Sequence, residues 1–285
     1  MSKRLPHTLR LVLKDRLTAT GLSIVSLLIL VALLAPWIVP YPQDTVETHI
    51  KDRFQSPSSQ HLFGTDELGR DVFSRVLYGS RLSLQVGAIA IGLALTIGVP
   101  LGVVAGYSGG MLDEVIMRIT DVFLSFPPLL LAMAISTLLG PNLINAMIAI
   151  AIAWWPWYTR LLRSAAISVR ERDFVQAARA MGASQGKIVF KHVLPNCLTP
   201  IVIQASMDFG SIMLTSAALS FLGLGAQPPT PEWGLMVSTG RTYFLTNWWI
   251  VTFPGLAIFI AVLSFNLVGD GLREILDPKM RRARR

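Results

Sequence analysis

Few residues in this sequence have the types and spacing that chemistry needs. The four histidines, His7, His49, His61 and His192, are scattered and show no metal-ligand spacing. Cys197 stands alone, so no internal disulfide and no cysteine-rich metal site can form. No Ser, His and Asp fall into a recognisable catalytic set. Gly182-Ala183-Ser184-Gln185-Gly186-Lys187 has the composition of a phosphate loop, but three residues separate its glycines and Ile188 follows the lysine. A working loop needs four residues there, and a Ser or Thr after the lysine to ligate magnesium. The expectation is no catalytic residue, no metal, no cofactor and no nucleotide binding in this chain.

One polar group stands inside an apolar run. Gln204, Asp208, Ser211 and Thr215 recur at helical spacing and give one polar face. A carboxylate at that depth is costly, so Asp208 should meet protein or water and not lipid. The face either lines a translocation path or hydrogen-bonds a neighbouring helix.

The elements that position these residues are membrane spans. Of the 285 residues, 52% are hydrophobic and 15% charged, against about 25% charged in soluble domains. Mean hydropathy is +0.55. Net charge is +8, but the basic residues flank apolar runs, so membrane topology explains them and nucleic acid is not an expected partner. Six spans are expected, at Leu22–Val39, Leu82–Ala105, Ile119–Leu139, Leu143–Leu162, Leu198–Leu224 and Trp249–Val268, each able to cross about 30 Å of hydrocarbon. Leu22–Val39 is too long for the core of a cleavable signal. Gly140-Pro141-Asn142 reads as the tight turn between the third and fourth spans.

With the N-terminus inside, the inner segments collect Lys3, Arg4, Arg10, Lys14, Arg16, Arg118, Arg160, Arg163, Arg170, Arg172, Arg179, Lys187 and Lys191, and the C-terminal basic tail. The outer segments hold Lys51, Arg53, Arg70, Arg75, Arg81 and Arg241. The positive-inside rule then places both termini in the cytoplasm.

Along the spans, Ala90, Ala94, Gly98, Gly102 and Gly106 form a small-residue line on which another helix can pack closely. Pro127-Pro128 should kink the third span and Pro156 the fourth. Arg118 and Asp121, one turn apart, are expected to pair. Trp154, Trp155, Trp157 and Tyr158 are expected to anchor the fourth span at the membrane interface.

Between the fourth and fifth spans lies a basic island, Phe174 to Asn196. Gln176-Ala177-Ala178-Arg179 reads as a helix turn that Gly182 interrupts, and a second amphipathic stretch with Ile188, Val189 and Val193 runs to Pro195, which should stop it. Such a small amphipathic element should pack on something, and a partner protein is a natural candidate.

This island resembles the EAA loop of bacterial ABC-importer membrane subunits, with Ala177, Ala178, Gly182, Ile188, Leu194 and Pro195 matching and Gln176 in place of the name-giving glutamate. A second likeness is denser. Gly64, Thr65, Asp66, Gly69, Arg70, Asp71, Ser74, Arg75, Gly79, Arg81, Ser83 and Leu84 match the signature of C-type permeases of the peptide/nickel importer family. Without that likeness, the same stretch reads as an interfacial helix whose arginines meet lipid headgroups. A third likeness covers Leu219 to Gly234, where Gly223, Gly225 and the prolines should end a helix and set an extended loop.

The resemblance implies an all-α, six-helix inner-membrane permease with a cytoplasmic coupling loop at 165–197. The N-terminal region would be 1–81, the transmembrane domain 82–269 and the basic tail 270–285. It implies a paired B-type permease, two cytoplasmic ATPase subunits or domains, and an extracytoplasmic binding protein that delivers cargo. Gln176, Ala177, Ala178, Arg179, Met181 and Gly182 would couple to the ATPase, and Gln204, Asp208, Ser211 and Thr215 would be candidates for the path. Peptide is the first expectation for cargo, with nickel or glutathione as alternatives. Two rivals are an ion-driven secondary transporter, which usually needs several deep ionisable groups, and an intramembrane enzyme, which needs catalytic residues within its spans.

Overall fold

The computed structural model describes residues 15–276 and is built from helices, with no named strand among the described residues. The basic residues Lys3, Arg4, Arg10 and Lys14 and most of the C-terminal tail lie outside that range. Helix α1 (Arg16–Ile38) is capped by the Asp15 carboxylate, which accepts from the Thr18 amide. The chain then runs through a largely irregular segment to α2 (Val72–Ser108), capped by Asp71, which accepts from Ser74 N at 2.7 Å. This helix starts ten residues before the expected span, because Asp71 supplies an N-cap that apolar periodicity does not reveal.

The third expected span is not one helix. It is α3 (Gly110–Leu124) and α4 (Pro128–Leu139), bent by 88° at the break. Proline at 127 and 128 removes two amide donors and drives the preceding residue out of helical geometry, so the kink becomes a corner. Gly140 at φ +90° and Asn142, whose side chain accepts from Ile144 N, form the turn into α5 (Leu143–Arg170) as expected.

Next come α6 (Asp173–Ala180) and α7 (Gln185–Ile188), which passes through one π-helical turn, Val189–Val193, into α8 (Leu194–Phe221). Pro195 therefore stops nothing. The wide turn, with Leu194 N bonding Val189 O, loosens the helix beside the proline ring and lets the run continue. Helices α9 (Trp233–Gly240) and α10 (Trp249–Leu276) complete the chain.

Four helical runs are long and apolar enough to cross a membrane, or five if the bent α3–α4 pair counts as one span. The 28-residue α5 has the length, but its aromatic and basic residues leave it short of the same apolar measure.

Helices α2 and α5 form the most extensive pair. The small-residue line is the reason: an added Cβ on Gly98 would lie 2.7 Å from Trp155 O, and one on Gly106 2.5 Å from Arg163 O. Ala90 and Ala94 are fully buried. Trp154, Trp155 and Tyr158 belong to this core, so interfacial anchoring is not the role of these three; of the four aromatics only Trp157 is exposed. The glycines of the line meet backbone and Cβ atoms of α5, Tyr158 Cβ beside Gly98 among them.

Candidate functional site

Three constructions could serve function. The first is the loop between α5 and α8. Helix α6 buries only Val175 and Ala178, which pack with Leu162, Ala166 and Ile188 in one apolar cluster. Its end is closed by two bonds, Gly182 N to Arg179 O at 3.0 Å and Ala183 N to Ala178 O at 3.1 Å. That pairing needs a left-handed residue at the turn, and Gly182 has φ +77°. Ala177 and Arg179 are exposed, and Met181 is 81% exposed. Gln176 is half-buried and donates through Nε2 to Arg170 O at 3.1 Å. Phe190, 73% exposed on the π-helical turn, adds a second large apolar side chain to the same solvent-facing element.

The second construction is the polar stripe of α8. Gln204 Nε2 donates to Asp208 Oδ1 at 2.9 Å, and the Thr215 hydroxyl donates to Ser211 O at 2.9 Å. Ser211 is exposed and the other three are half-buried. Asp208 also interacts with the Tyr158 hydroxyl across the α5–α8 contact. Neither Asp208 Oδ2 nor Tyr158 Oη has a hydrogen bond of standard geometry. The stripe is thus held together from within at Gln204–Asp208, and Tyr158 joins it from a helix where the sequence showed only an aromatic cluster. These four residues lie in a different construction from the α6 group.

The third construction is a cap built from residues 41–75 and 226–249. Two of its arginines are buried within the fold. Arg70 and Arg75 are each 3% exposed, and Asp66 is 4% exposed. Asp66 Oδ2 accepts from Arg70 Nε at 2.7 Å, and its Oδ1 accepts from the amides of Leu68 and Arg70, both at 2.9 Å. Arg75 Nη1 donates to Thr45 O at 2.7 Å and Pro229 O at 3.3 Å, which ties the two segments together. The interfacial reading fails for Arg70 and Arg75, because Arg70 finds carboxylates and Arg75 finds carbonyls and a carboxylate within the fold; Arg81 is half-buried and lies over the Tyr78 ring.

Trp233 Nε1 donates to Val76 O at 2.9 Å and Trp249 Nε1 to Thr65 O at 3.0 Å, so aromatic donors close the same cap. Gly223, at φ +80°, ends α8 as expected. The loop after it leads into α9, which the sequence did not reveal. Glu232 caps α9 with bonds from Gly234 N at 3.0 Å and Leu235 N at 2.8 Å, and burial raises its carboxyl above the usual glutamate range. Burial, then the charge of Asp66, raises Glu67 likewise.

Salt bridges also link α3 to α5. Asp113 takes a two-point contact from Arg163 at 2.5 and 2.7 Å, and Asp121 pairs with Arg160 at 2.5 Å. Arg118 pairs with Glu114 instead of Asp121. The i,i+4 acid sits on the same exposed face, while Asp121 is drawn to a full cation on the neighbouring helix.

Comparisons with known proteins agree with this architecture. Residues 98–282 match the family model described as "Binding-protein-dependent transport system inner membrane component". Residues 8–57 match the "N-terminal TM domain of oligopeptide transport permease C". The chain is 51% identical over 268 residues to a dipeptide transport system permease protein of Alkalihalophilus pseudofirmus, covering 94% of this chain and 88% of that one. It is 47% identical over 270 residues to a di/tripeptide transport system permease protein of Pseudomonas aeruginosa, covering 92% and 88%. A glutathione transport system permease protein of Pectobacterium atrosepticum is 44% identical over 264 residues, covering 92% and 87%. Among solved structures, an inward-facing methionine ABC transporter superposes with TM-score 0.58 at 21% identity, over 71% of this chain and 97% of that chain.

Proposed function

Because the chain belongs to the family of binding-protein-dependent transport system inner membrane components, we propose that it is the permease subunit of an ABC importer that carries di- and oligopeptides. The carrying observation is near-full-length likeness to relatives named as dipeptide and di/tripeptide permeases. The reading calls for a B-type permease beside this chain, two ATPase subunits or domains on the cytoplasmic side and an extracytoplasmic binding protein above the outer cap. ATP hydrolysis belongs to those partners. Six crossings follow if α5 crosses and the α3–α4 corner lies within one crossing. The exposed cations Arg172, Arg179, Lys187 and Lys191 gather on the α6–α7 element, which supports a cytoplasmic position for it and for both termini.

In this reading α6 docks on the ATPase through Met181 and the exposed face at Ala177, while Gly182 keeps it separate from α7. A reconstituted complex of all the subunits should take up dipeptide only with ATP. Accumulation by this chain alone, without ATP, would refute the assignment.

Gly182→Pro should reduce cargo-stimulated ATP hydrolysis at least tenfold, because proline cannot adopt positive φ and loses the amide that bonds Arg179 O. Gly182→Asn should retain most of it. Asparagine tolerates the left-handed region, and a Cβ there meets open space. Equal activity of the two variants would contradict the coupling role.

The α8 stripe is the proposed path lining. Asp208→Asn should leave assembly intact and lower peptide uptake by about tenfold, the scale of one lost charge-assisted contact. Unchanged uptake with a changed melting temperature would assign Asp208 to helix packing alone.

A further inference from the structure

Helix α6 has a small apolar seat, Val175 and Ala178, and apolar contact attracts without setting direction. A lever seated only in this way would swivel when pushed. Three polar ties supply the direction, and each joins a different pair of helices. Gln176 Nε2, on α6, donates to the carbonyl of Arg170, the last residue of α5. Arg170 Nη1 donates to Tyr107 O at 3.2 Å and Gly106 O at 3.4 Å, at the end of α2. The Arg179 guanidinium, on α6, lies 5.8 Å from the Tyr107 ring centroid.

The acceptors are carbonyls of final helical turns, which have no later amide to bond, and the negative end of α2 favours the Arg170 cation. The ties surround a polar cleft of about 430 Å³ that Ser108, Glu171 and Gln185 also line. Water can enter it, so these contacts can exchange without a large desolvation cost.

We propose that Tyr107, Arg170, Gln176 and Arg179 form a clamp that fixes the direction of α6 against the inner ends of α2 and α5, so that a push on α6 moves both spans together. The inference rests on the transport reading above. It makes Arg179 a positioning residue that acts through Tyr107 of this chain, not a contact given over to the ATPase. It also accounts for the amide at position 176: its partner is a carbonyl, which a carboxylate cannot serve.

The test is uptake per ATP hydrolysed in the complete reconstituted complex, with a dipeptide and its binding protein. Tyr107→Phe keeps the ring face and should match wild type. Arg179→Gln and Tyr107→Leu should each lower the ratio about three- to tenfold, the scale of a cation–π contact, with basal hydrolysis and copurification of the ATPase unchanged. The double variant should be no worse than the more impaired single. Gln176→Leu, which removes a half-exposed amide and carries little folding risk, should show the same uncoupling if Tyr107→Leu does not accumulate.

Additive losses in the double variant would overturn the clamp. So would Arg179→Gln releasing the ATPase, or wild-type ratios in both Arg179→Gln and Gln176→Leu. A wild-type complex with no ATP-dependent uptake removes the transport reading and the clamp with it; a coupled wild type with unaffected variants removes the clamp alone.

Discussion

Gly102→Val should yield almost no assembled permease. A Cβ built on Gly102 lies 2.5 Å from Leu162 Cβ and 2.5 Å from Thr159 O, with Thr159 Cα at 3.1 Å. Two of these three atoms are backbone, so no rotamer change relieves the clash and α2 must move away from α5. The separation would spread along the whole stripe, because Gly98 and Gly106 make equally close approaches one turn away in each direction. Thr159 Oγ1 also reaches Gly98 O at 3.3 Å, a contact that holds only at this spacing. Overpacking typically costs about 1–3 kcal/mol, and a backbone clash in the most extensive helix pair belongs at or above the top of that range. Against a typical total of about 5–15 kcal/mol, that is a large share.

Gly92 makes the comparison sharp. It lies on the same helix, and an added Cβ meets nothing within 4 Å. Gly92→Ala should therefore be neutral or raise the melting temperature slightly, through helix propensity. Melting temperature in detergent and recovery of folded protein after extraction are the measurements. A Gly102→Val protein that melts with wild type would show that α2 and α5 do not pack as described.

Asp66→Ala should be nearly as damaging, and in the cap built from residues 41–75 and 226–249. The substitution leaves the guanidinium of Arg70 with only the longer Glu67 contact at 3.6 Å, removes the carboxylate 3.6 Å from Arg75 Nε, and takes the acceptor from the Leu68 and Arg70 amides. Both arginines are nearly sealed from water, so the loss is that of one partner from a buried pair, about 3–5 kcal/mol. Arg75 spans Thr45 O and Pro229 O, so the damage should reach both segments of the cap. The exposed Arg118–Glu114 pair is the control: Glu114→Ala should cost about 0–1 kcal/mol. Thermal unfolding of the two variants side by side decides the matter. An Asp66→Ala protein that melts within a degree of wild type would mean the cluster contributes nothing to the cap.

Local signals carried far in this chain. The four-residue spacing of small side chains from Ala90 to Gly106 and the glycines at 140, 182 and 223 each did what local chemistry requires, and four of the apolar runs fall in helices long and apolar enough to cross a membrane. The Gln204–Asp208 contact also follows from spacing alone.

What only the tertiary structure decided depended on atoms distant along the chain. Arg70 and Arg75 could have met headgroups until the fold brought Asp66, Thr45 and Pro229 within reach. Asp121 preferred Arg160 on another helix to the arginine three residues away. Trp154 and Trp155 left the interface because the packed helices enclose them in one core with Ala90, Ile91 and Ala94. Pro195 lost its power to stop a helix at a π-helical turn, and two adjacent prolines turned a kink into a corner. Helix type and boundary are set by neighbours within about one turn. Partner choice for a charge or a ring is set by which side chains the packed helices bring together, and no spacing within one segment encodes that.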